Sequence, residues 1–376
     1  KYVPAIDRGI AQLKVFEVLC HGGGIIRDGA DCGYFFDRRP YPTANDLMAD
    51  FQSPPLVKRD KYFKYSNHGY GLLGLVIEAV TGEAYASWIK REIMDPAGLN
   101  ETSPDMPIAA GIPFARGHTD KVLLGERVVV PGDYSTGALA PASGLVATAS
   151  DLAVFFSQLS PRAATSVLSR SSRHDMTRKR LRNRHSSVEL SYGFGTISGA
   201  VEDWRWFGHT GGLQGYLSRT KMLPAQDLTI SVLANSADAP AEQWINGAIH
   251  ILRTFKQQRA PSDELKDWTG RWWGLWGAVD LVPMGEVVMV ANPQTATPFL
   301  DASQLRVSGR DTARIAASTS FLYFGETARR MRNEADQPVE LWLGGDKLLS
   351  EADRAAEIKK KYAAKTDRAN AKLIEG

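Results

Sequence analysis

Scarce cysteine, no long apolar run and almost no excess charge narrow this chain before any motif is read. Two cysteines, Cys20 and Cys32, are too few in 376 residues for a disulfide-stapled scaffold. They share a Gly-rich stretch and can pair only if the fold brings them close. No run reaches the roughly 18 apolar residues of a membrane span. A net charge of +3 is small for this length and implies no nucleic-acid partner. The histidines at 21, 68, 118, 174, 185, 209 and 250 form no His-x-x-x-His or Cys/His cluster, so neither a metal nor a cofactor is expected. The Gly-x-Ser-x-Gly pentapeptide of nucleophile-elbow hydrolases is absent as well.

What remains is ordinary for a globular protein: 43% hydrophobic, 23% charged and long enough for two domains. Residues 1–190 read mostly as helices and long loops. A buried helix is expected over 69–81, where Leu72, Leu73, Leu75, Val76, Ile77 and Val80 leave almost no polar face, closed by Gly82. A second is expected over 84–94, stopping at Asp95-Pro96, and a third near Ser150, which can cap it. Four strands are expected at 192–197, 204–209, 215–223 and 228–234, forming an antiparallel sheet, then a helix near 242–256. Residues 259–266 read as a linker. Short strands at 272–276, 278–282, 286–290, 321–324 and 339–343, with turns at Met284-Gly285 and Gly344-Gly345, predict a small all-β barrel or sandwich over 267–350. The charged tail 351–376 reads as a solvated helix or a disordered segment. The fold class is therefore α+β and multi-domain.

Most motif matches have a plainer reading. Gly69-x-Gly71-x-x-Gly74 copies a dinucleotide fingerprint, but no buried parallel strand precedes it, and small packing residues at a helix start are favoured. His21-Gly22-Gly23-Gly24 copies a lipase oxyanion loop without the pentapeptide that should accompany it. Acyl transfer on a serine also uses Ser-x-x-Lys, with Ser at a helix start and Lys one turn later. Ser87-Trp88-Ile89-Lys90 places its serine on the wet face of a helix. Ser218-Arg219-Thr220-Lys221 falls on a strand, where residues an odd number apart face opposite ways. Both are read as chance. The basic run Arg173, Arg178, Lys179, Arg180, Arg182 and Arg184 reads as solvated surface.

Tyr65-Ser66-Asn67 and His209-Thr210-Gly211-Gly212 are the informative pair. Singly, the first is a helix cap and the second a hairpin. Together they suit acyl transfer, with polar side chains at a loop–helix junction and a glycine backbone able to approach a carbonyl oxygen.

These motifs and three others resemble the serine β-lactamase and penicillin-binding-protein-like superfamily, closest to the group of class C β-lactamases, D-amino-acid peptidases and esterases. Val18-Leu19-Cys20-His21-Gly22-Gly23-Gly24-Ile25 is similar to that family's Leu-Leu-Thr-His-Thr-Ser-Gly-Leu. Tyr65–Gly74 resembles its Tyr-Ser-Asn-x-Gly-Tyr-x-Leu-Leu-Gly, and Pro141-Ala142-Ser143-Gly144-Leu145 its Pro-Ala-Gly-Gly-Leu. Gly208–Tyr216 resembles its Gly-His-Thr-Gly-Gly-x-x-Gly-Tyr. The resemblance implies a β-lactamase/transpeptidase-like domain over 1–258, a helical lobe with an antiparallel sheet, and an appended barrel-like domain.

It also implies roles. Tyr65 would shuttle a proton with the nucleophile's lysine, and Asn67 would orient that lysine or bind the substrate amide. His209 would hold the place of a cation on the sheet edge, Thr210 and Gly211 would line that edge, and the Gly212 N–H would be an oxyanion donor. Two departures stand out. Lys1-Tyr2-Val3-Pro4 resembles the loop after the nucleophile helix, so the expectation is that the chain is N-terminally truncated and that Ser-x-x-Lys lies upstream. Any signal peptide would also precede Lys1, which leaves a periplasmic or secreted location open. The second departure is His209 in place of lysine. A neutral histidine binds a carboxylate less well than an ammonium ion, which favours a peptidase or esterase over a β-lactamase. The expectation is a serine hydrolase acting through an acyl-enzyme on a small ester, peptide or β-lactam-like substrate. The alternative is an inactive relative that binds a peptide or cell-wall fragment.

Overall fold

The computed structural model describes residues 2–122, 124–318 and 323–374. The chain forms two compact units, residues 1–245 and 246–376, and the division falls within a helix, Ala241–Gln258.

The first unit combines a helical lobe with one antiparallel sheet of six strands in simple sequence order: β1 (Leu181–Arg182), β2 (Ser191–Tyr192), β3 (Ile197–Val201), β4 (Trp204–Leu213), β5 (Tyr216–Leu223) and β6 (Leu228–Ala234). The strand expected over 192–197 is instead the two short strands β2 and β3. Gly195 turns the chain between them at φ 69°. Strand register leaves part of β4 open on one side. Ile197 pairs with Gly208 and Val201 with Trp204, so β3 covers β4 only as far as Gly208. Residues 209–213 pair with β5 on one side and run beyond β3 on the other.

Helix α1 (Val15–Leu19) leads into the glycine loop, α2 (Ala44–Asp50) comes next, and α3 (Asn67–Thr81) starts at the first candidate motif. Ser66 caps α3, its Oγ accepting from the Gly69 N–H at 2.8 Å, and Gly82 ends it at φ 71°. The expectation of an almost wholly buried helix fails at its C-terminal end, where Val80 is 60% exposed. The buried surface lies instead in the first two turns, at Asn67, His68, Gly69, Gly71, Leu72 and Gly74. The glycines are there for close packing. A Cβ at Gly74 would stand 2.3 Å from Cγ of Pro141, and one at Gly71 2.7 Å from Cδ1 of Leu47. Ile10, Val18, Ile25, Leu47, Phe51, Leu72 and Leu139 form the lobe's core. Each fully buried aliphatic side chain contributes about 1.5–3 kcal/mol.

Three local expectations are corrected. The helix expected to stop at Asp95 runs as Tyr85–Ile89, a π turn at Lys90–Met94, and Asp95–Ala97. Pro96 therefore sits where the hydrogen-bond register has already changed, and its missing N–H breaks no α-helical bond. Helix α4 (Ala149–Gln158) is capped by Thr148, whose Oγ1 accepts from the Asp151 N–H at 3.2 Å; Ser150 lies inside its first turn. The basic run is not uniformly solvated. Arg173 is buried, donating to the Ala163 carbonyl at 3.1 Å, and Arg180 stacks over the Phe194 ring at 3.6 Å. Cys20 is buried and Cys32 exposed, and both are free thiols.

The second unit is a closed antiparallel barrel: β7 (Gly270–Gly274), β8 (Gly277–Met284), β9 (Val287–Ala291), β10 (Ser303–Gly309), β11 (Thr312–Ala317), β12 (Thr327–Arg332), β13 (Pro338–Leu343) and β14 (Asp346–Leu349). Closure removes sheet edges. Trp268, Trp272, Leu281, Leu305, Ile315 and Leu341 are buried in its core. Of the strand expected over 321–324, Phe321 and Leu322 lie outside the described residues, and Tyr323 and Phe324 fall in the connection before β12. A helix, Glu351–Ile374, comes after the barrel.

Candidate active site

The N-terminus of α3 and the exposed stretch of β4 meet over one buried histidine, His21. It lies just after α1 with φ 59°, a left-handed conformation in which histidine is tolerated, and the glycine loop turns behind it. Backbone bonds tie this loop to the α3 start. The Lys64 N–H donates to the His21 carbonyl at 2.8 Å, and the His68 N–H to the Arg27 carbonyl at 3.1 Å. The glycine loop therefore shapes the site from below, and the two nucleophile-type side chains beside it are engaged or buried: Ser66 Oγ donates to the Ile26 carbonyl at 2.6 Å, and the Cys20 thiol is buried.

Tyr65 is half-buried. Its ring centroid lies 4.1 Å from that of His21 and 6.5 Å from that of His209, and the Arg27 guanidinium stands over it at 5.8 Å. Burial raises its pKa, and the Arg27 charge opposes the shift. The Tyr65 hydroxyl has no hydrogen-bond partner among the described residues.

Asn67 is buried, and its Nδ2 donates to Oδ1 of Asp28 at 2.6 Å. A carboxylate can only accept, so Asp28 fixes which end of the amide is which and leaves Oδ1 of Asn67 as a free acceptor. The second Asp28 oxygen faces Nε of Arg27 at 3.2 Å.

On β4, His209 is half-buried and Thr210 and Gly212 are exposed. Both His209 nitrogens are engaged, with Nε2 2.9 Å from the Tyr192 hydroxyl and Nδ1 2.6 Å from the Thr210 carbonyl. The same Tyr192 hydroxyl lies 3.2 Å from Nε2 of His21, whose Nδ1 accepts the Ser66 N–H at 3.1 Å. Burial lowers the pKa of both imidazoles, that of His21 to about 3 with a smaller effect from His209. A Cβ at Gly211 would strike Oγ of Ser218 at 2.3 Å, whereas one at Gly212 would meet only Leu217, at 3.6 Å. The Gly212 backbone is thus open to approach.

The structure brings the Tyr65 and His209 rings within 6.5 Å of each other, with Asn67 two residues along the chain from Tyr65, and it engages the lysines of both Ser-x-x-Lys matches elsewhere, although Ser218 itself pairs with Gly211. Ser87 is exposed, and Lys90 is spent on Asp95 at 2.7 Å. Lys221 donates to Glu242 at 2.7 Å and lies over the Trp206 ring at 4.4 Å. Among the described residues no group of three or more His, Cys, Asp or Glu side chains is placed to hold a metal ion. Three residues of the site went unread in the sequence: His21, Asp28 and Tyr192. Only His21 carried a signal, as the histidine of the Leu-Leu-Thr-His-like stretch.

A helical lobe, a meandering antiparallel sheet and polar side chains gathered where a helix start meets a strand end define the β-lactamase/transpeptidase-like class. The chain belongs to the Beta-lactamase family, whose pattern matches residues 1–250. It is 30% identical over 221 residues to penicillin-binding protein 4* of Bacillus subtilis (strain 168), a match covering 54% of this chain and 47% of that protein. The match thus spans about half the length of that curated relative. Its fold is shared with the octameric penicillin-binding protein homologue from Pyrococcus abyssi, at TM-score 0.55 and 22% identity over 93% of this chain and 83% of that one. It is also shared with the D-stereospecific amidohydrolase from Streptomyces sp., at TM-score 0.54 and 22% identity over 64% of this chain and 74% of that one.

Proposed function

We propose that this chain supplies part of the active site of a serine hydrolase that cleaves an ester or amide through an acyl-enzyme. The observation that carries the reading is the unpartnered Tyr65 hydroxyl, beside the rings of His21 and His209, whose nitrogens are all engaged. A tyrosine that relays protons must keep its hydroxyl free for a transient partner. Its raised pKa means the resting form is the phenol, which accepts and donates in turn. Asn67 offers Oδ1 to a lysine ammonium or to a substrate N–H, and the Gly212 N–H serves as an oxyanion donor. The nucleophilic serine and its lysine are not among the residues gathered at this site.

The substrate class follows from His209. A neutral ring with both nitrogens engaged offers no charge to a substrate carboxylate, so an amide, D-amino-acid peptide or ester is favoured over a β-lactam. The name of one structural neighbour, D-stereospecific amidohydrolase, accords with an amide substrate.

Two measurements test the proposal. Residues 1–376 alone should take no covalent label from a fluorescent penicillin or a fluorophosphonate, and label on Ser87 or Ser218 would overturn the account. Coding sequence immediately upstream of Lys1 should contain Ser-x-x-Lys, and the protein carrying it should release product from a D-amino-acid amide or ester. Its absence there would leave the binding reading.

A further inference from the structure

The contacts joining His21, Tyr192 and His209 are fixed in direction at both ends. The Ser66 N–H can donate and never accept, so Nδ1 of His21 must carry the lone pair. In a neutral imidazole the proton then sits on Nε2 and is donated to the Tyr192 oxygen at 3.2 Å. The far end is fixed independently. The Thr210 carbonyl can only accept, so Nδ1 of His209, 2.6 Å away, must carry the proton. Nε2 of a neutral His209 then has only a lone pair, and the Tyr192 hydroxyl donates to it at 2.9 Å. Tyr70 spends its own proton on the Leu19 carbonyl at 2.8 Å, so toward Tyr192 its oxygen can only accept, in competition with Nε2 of His209. Every donor in the series meets an acceptor.

We propose that His21 and Tyr192 are positioning residues that, through this directed chain of hydrogen bonds, hold His209 as its neutral Nδ1–H tautomer with no nitrogen left for a ligand. The chain runs from the cap of α3 to the exposed stretch of β4, so it joins the element bearing Tyr65 and Asn67 to the element bearing Gly212. The strand end then presents no imidazole nitrogen to a ligand. The surroundings keep it neutral. His21 faces Phe63, Tyr65, Tyr70 and Tyr192. His209 faces Tyr65 and Tyr192 and feels the Arg219 cation. No carboxylate acts on either ring to stabilise an imidazolium. The proposal deepens the hydrolase reading, since it gives His209 a role in the same site, but its test needs no turnover.

The test is nitrogen NMR of residues 1–376 labelled with 15N-histidine near neutral pH, with His209→Gln to assign the signals. His21 should show a protonated Nε2 and His209 a protonated Nδ1. In Tyr192→Phe the His209 Nε2 signal should shift toward that of a ring nitrogen accepting no hydrogen bond, and the ring should take up a proton at higher pH. A His209 protonated on Nε2, or on both nitrogens, would overturn the proposal. So would an unmoved Nε2 signal in a folded Tyr192→Phe. If that variant fails to fold, the tautomers of the unaltered protein still decide. Failure here would leave the hydrolase reading standing, because that reading rests on Tyr65.

Discussion

Asp28 and Asn67 are joined by a 2.6 Å hydrogen bond between residues 39 positions apart, and this bond decides which face of the Asn67 amide is offered to a ligand. Removing the carboxylate in Asp28→Ala leaves a buried amide without its acceptor. A stability loss of about 1–3 kcal/mol is expected from urea unfolding. Asp28→Asn keeps the shape but can donate as well as accept, so the Asn67 amide can flip. It should lose less stability than the alanine variant while losing as much activity in the hydrolytically competent protein. Activity equal to that of the unaltered protein in both variants would separate Asp28 from the site.

Tyr65→Phe should behave oppositely. Its hydroxyl has no partner to lose, so stability should change by no more than about 0.5 kcal/mol. Turnover by the protein that carries the nucleophile should fall by about 10²–10⁴-fold if Tyr65 moves protons. A folded variant with full turnover would remove Tyr65 from the mechanism.

The two lowered imidazoles set a pH dependence. An unfolded histidine takes a proton near 6.5, whereas folded His21 holds off until about 3. Between those values the unfolded chain binds the extra proton, so unfolding becomes easier as pH falls. The stability contributed by the neutral ring is complete above 6.5 and is lost through the interval down to about 3. His209 shifts in the same direction. The slope is at most about 1.4 kcal/mol per pH unit for each ring. Urea midpoints across this interval should fall with pH, and His21→Asn should flatten the dependence. A rise in stability on acidification would contradict the assignment.

Gly74→Ala tests the packing reading of the glycine pattern in α3. The added methyl would meet Pro141 at 2.3 Å, and overpacking of this kind costs about 1–3 kcal/mol. Thermal unfolding should report that loss, and added dinucleotide should not stabilise the unaltered protein. Stabilisation by dinucleotide would revive the fingerprint.

Arg330 tests the barrel. Its side chain is 1% exposed, lies over Trp268 at 4.2 Å, and donates to the Asp267 carboxylate at 2.8 Å and to the Asp267 carbonyl at 2.6 Å. Because the Asp267 side chain is largely exposed, Arg330→Met should cost about 1–3 kcal/mol, less than the loss of a fully buried pair. Tryptophan fluorescence in urea would track it.

The parts of the fold legible in the sequence were those whose signals are local. Gly82 and the Ser66 cap bound α3 because caps act over three or four residues. Short apolar runs between turn residues marked β4 to β6 and, in the barrel, β7 to β9 and β13, whereas β10 and β11 went unread. Strand β12 was hidden because Thr-Ala-Arg-Arg-Met-Arg reads as solvent-facing, yet Arg330 points inward to aspartates at 267 and 311, the first of them 63 residues away. Thr148 displaced Ser150 as a cap because chain direction before the helix, absent from composition, chooses the cap. The expected roles of Thr210 and Gly211 rest on their position along the β4 edge alone.

By itself the sequence determined the family, through short motifs in a set order, and the residue types available for chemistry at Tyr65, Asn67 and His209. Only the tertiary structure decided what those groups can do. Asp28 orients Asn67, and Tyr192 joins His21 to His209 across 171 and 17 residues of chain. Hydrogen-bond direction and proton position depend on which atoms meet in space, and no spacing along the chain encodes that.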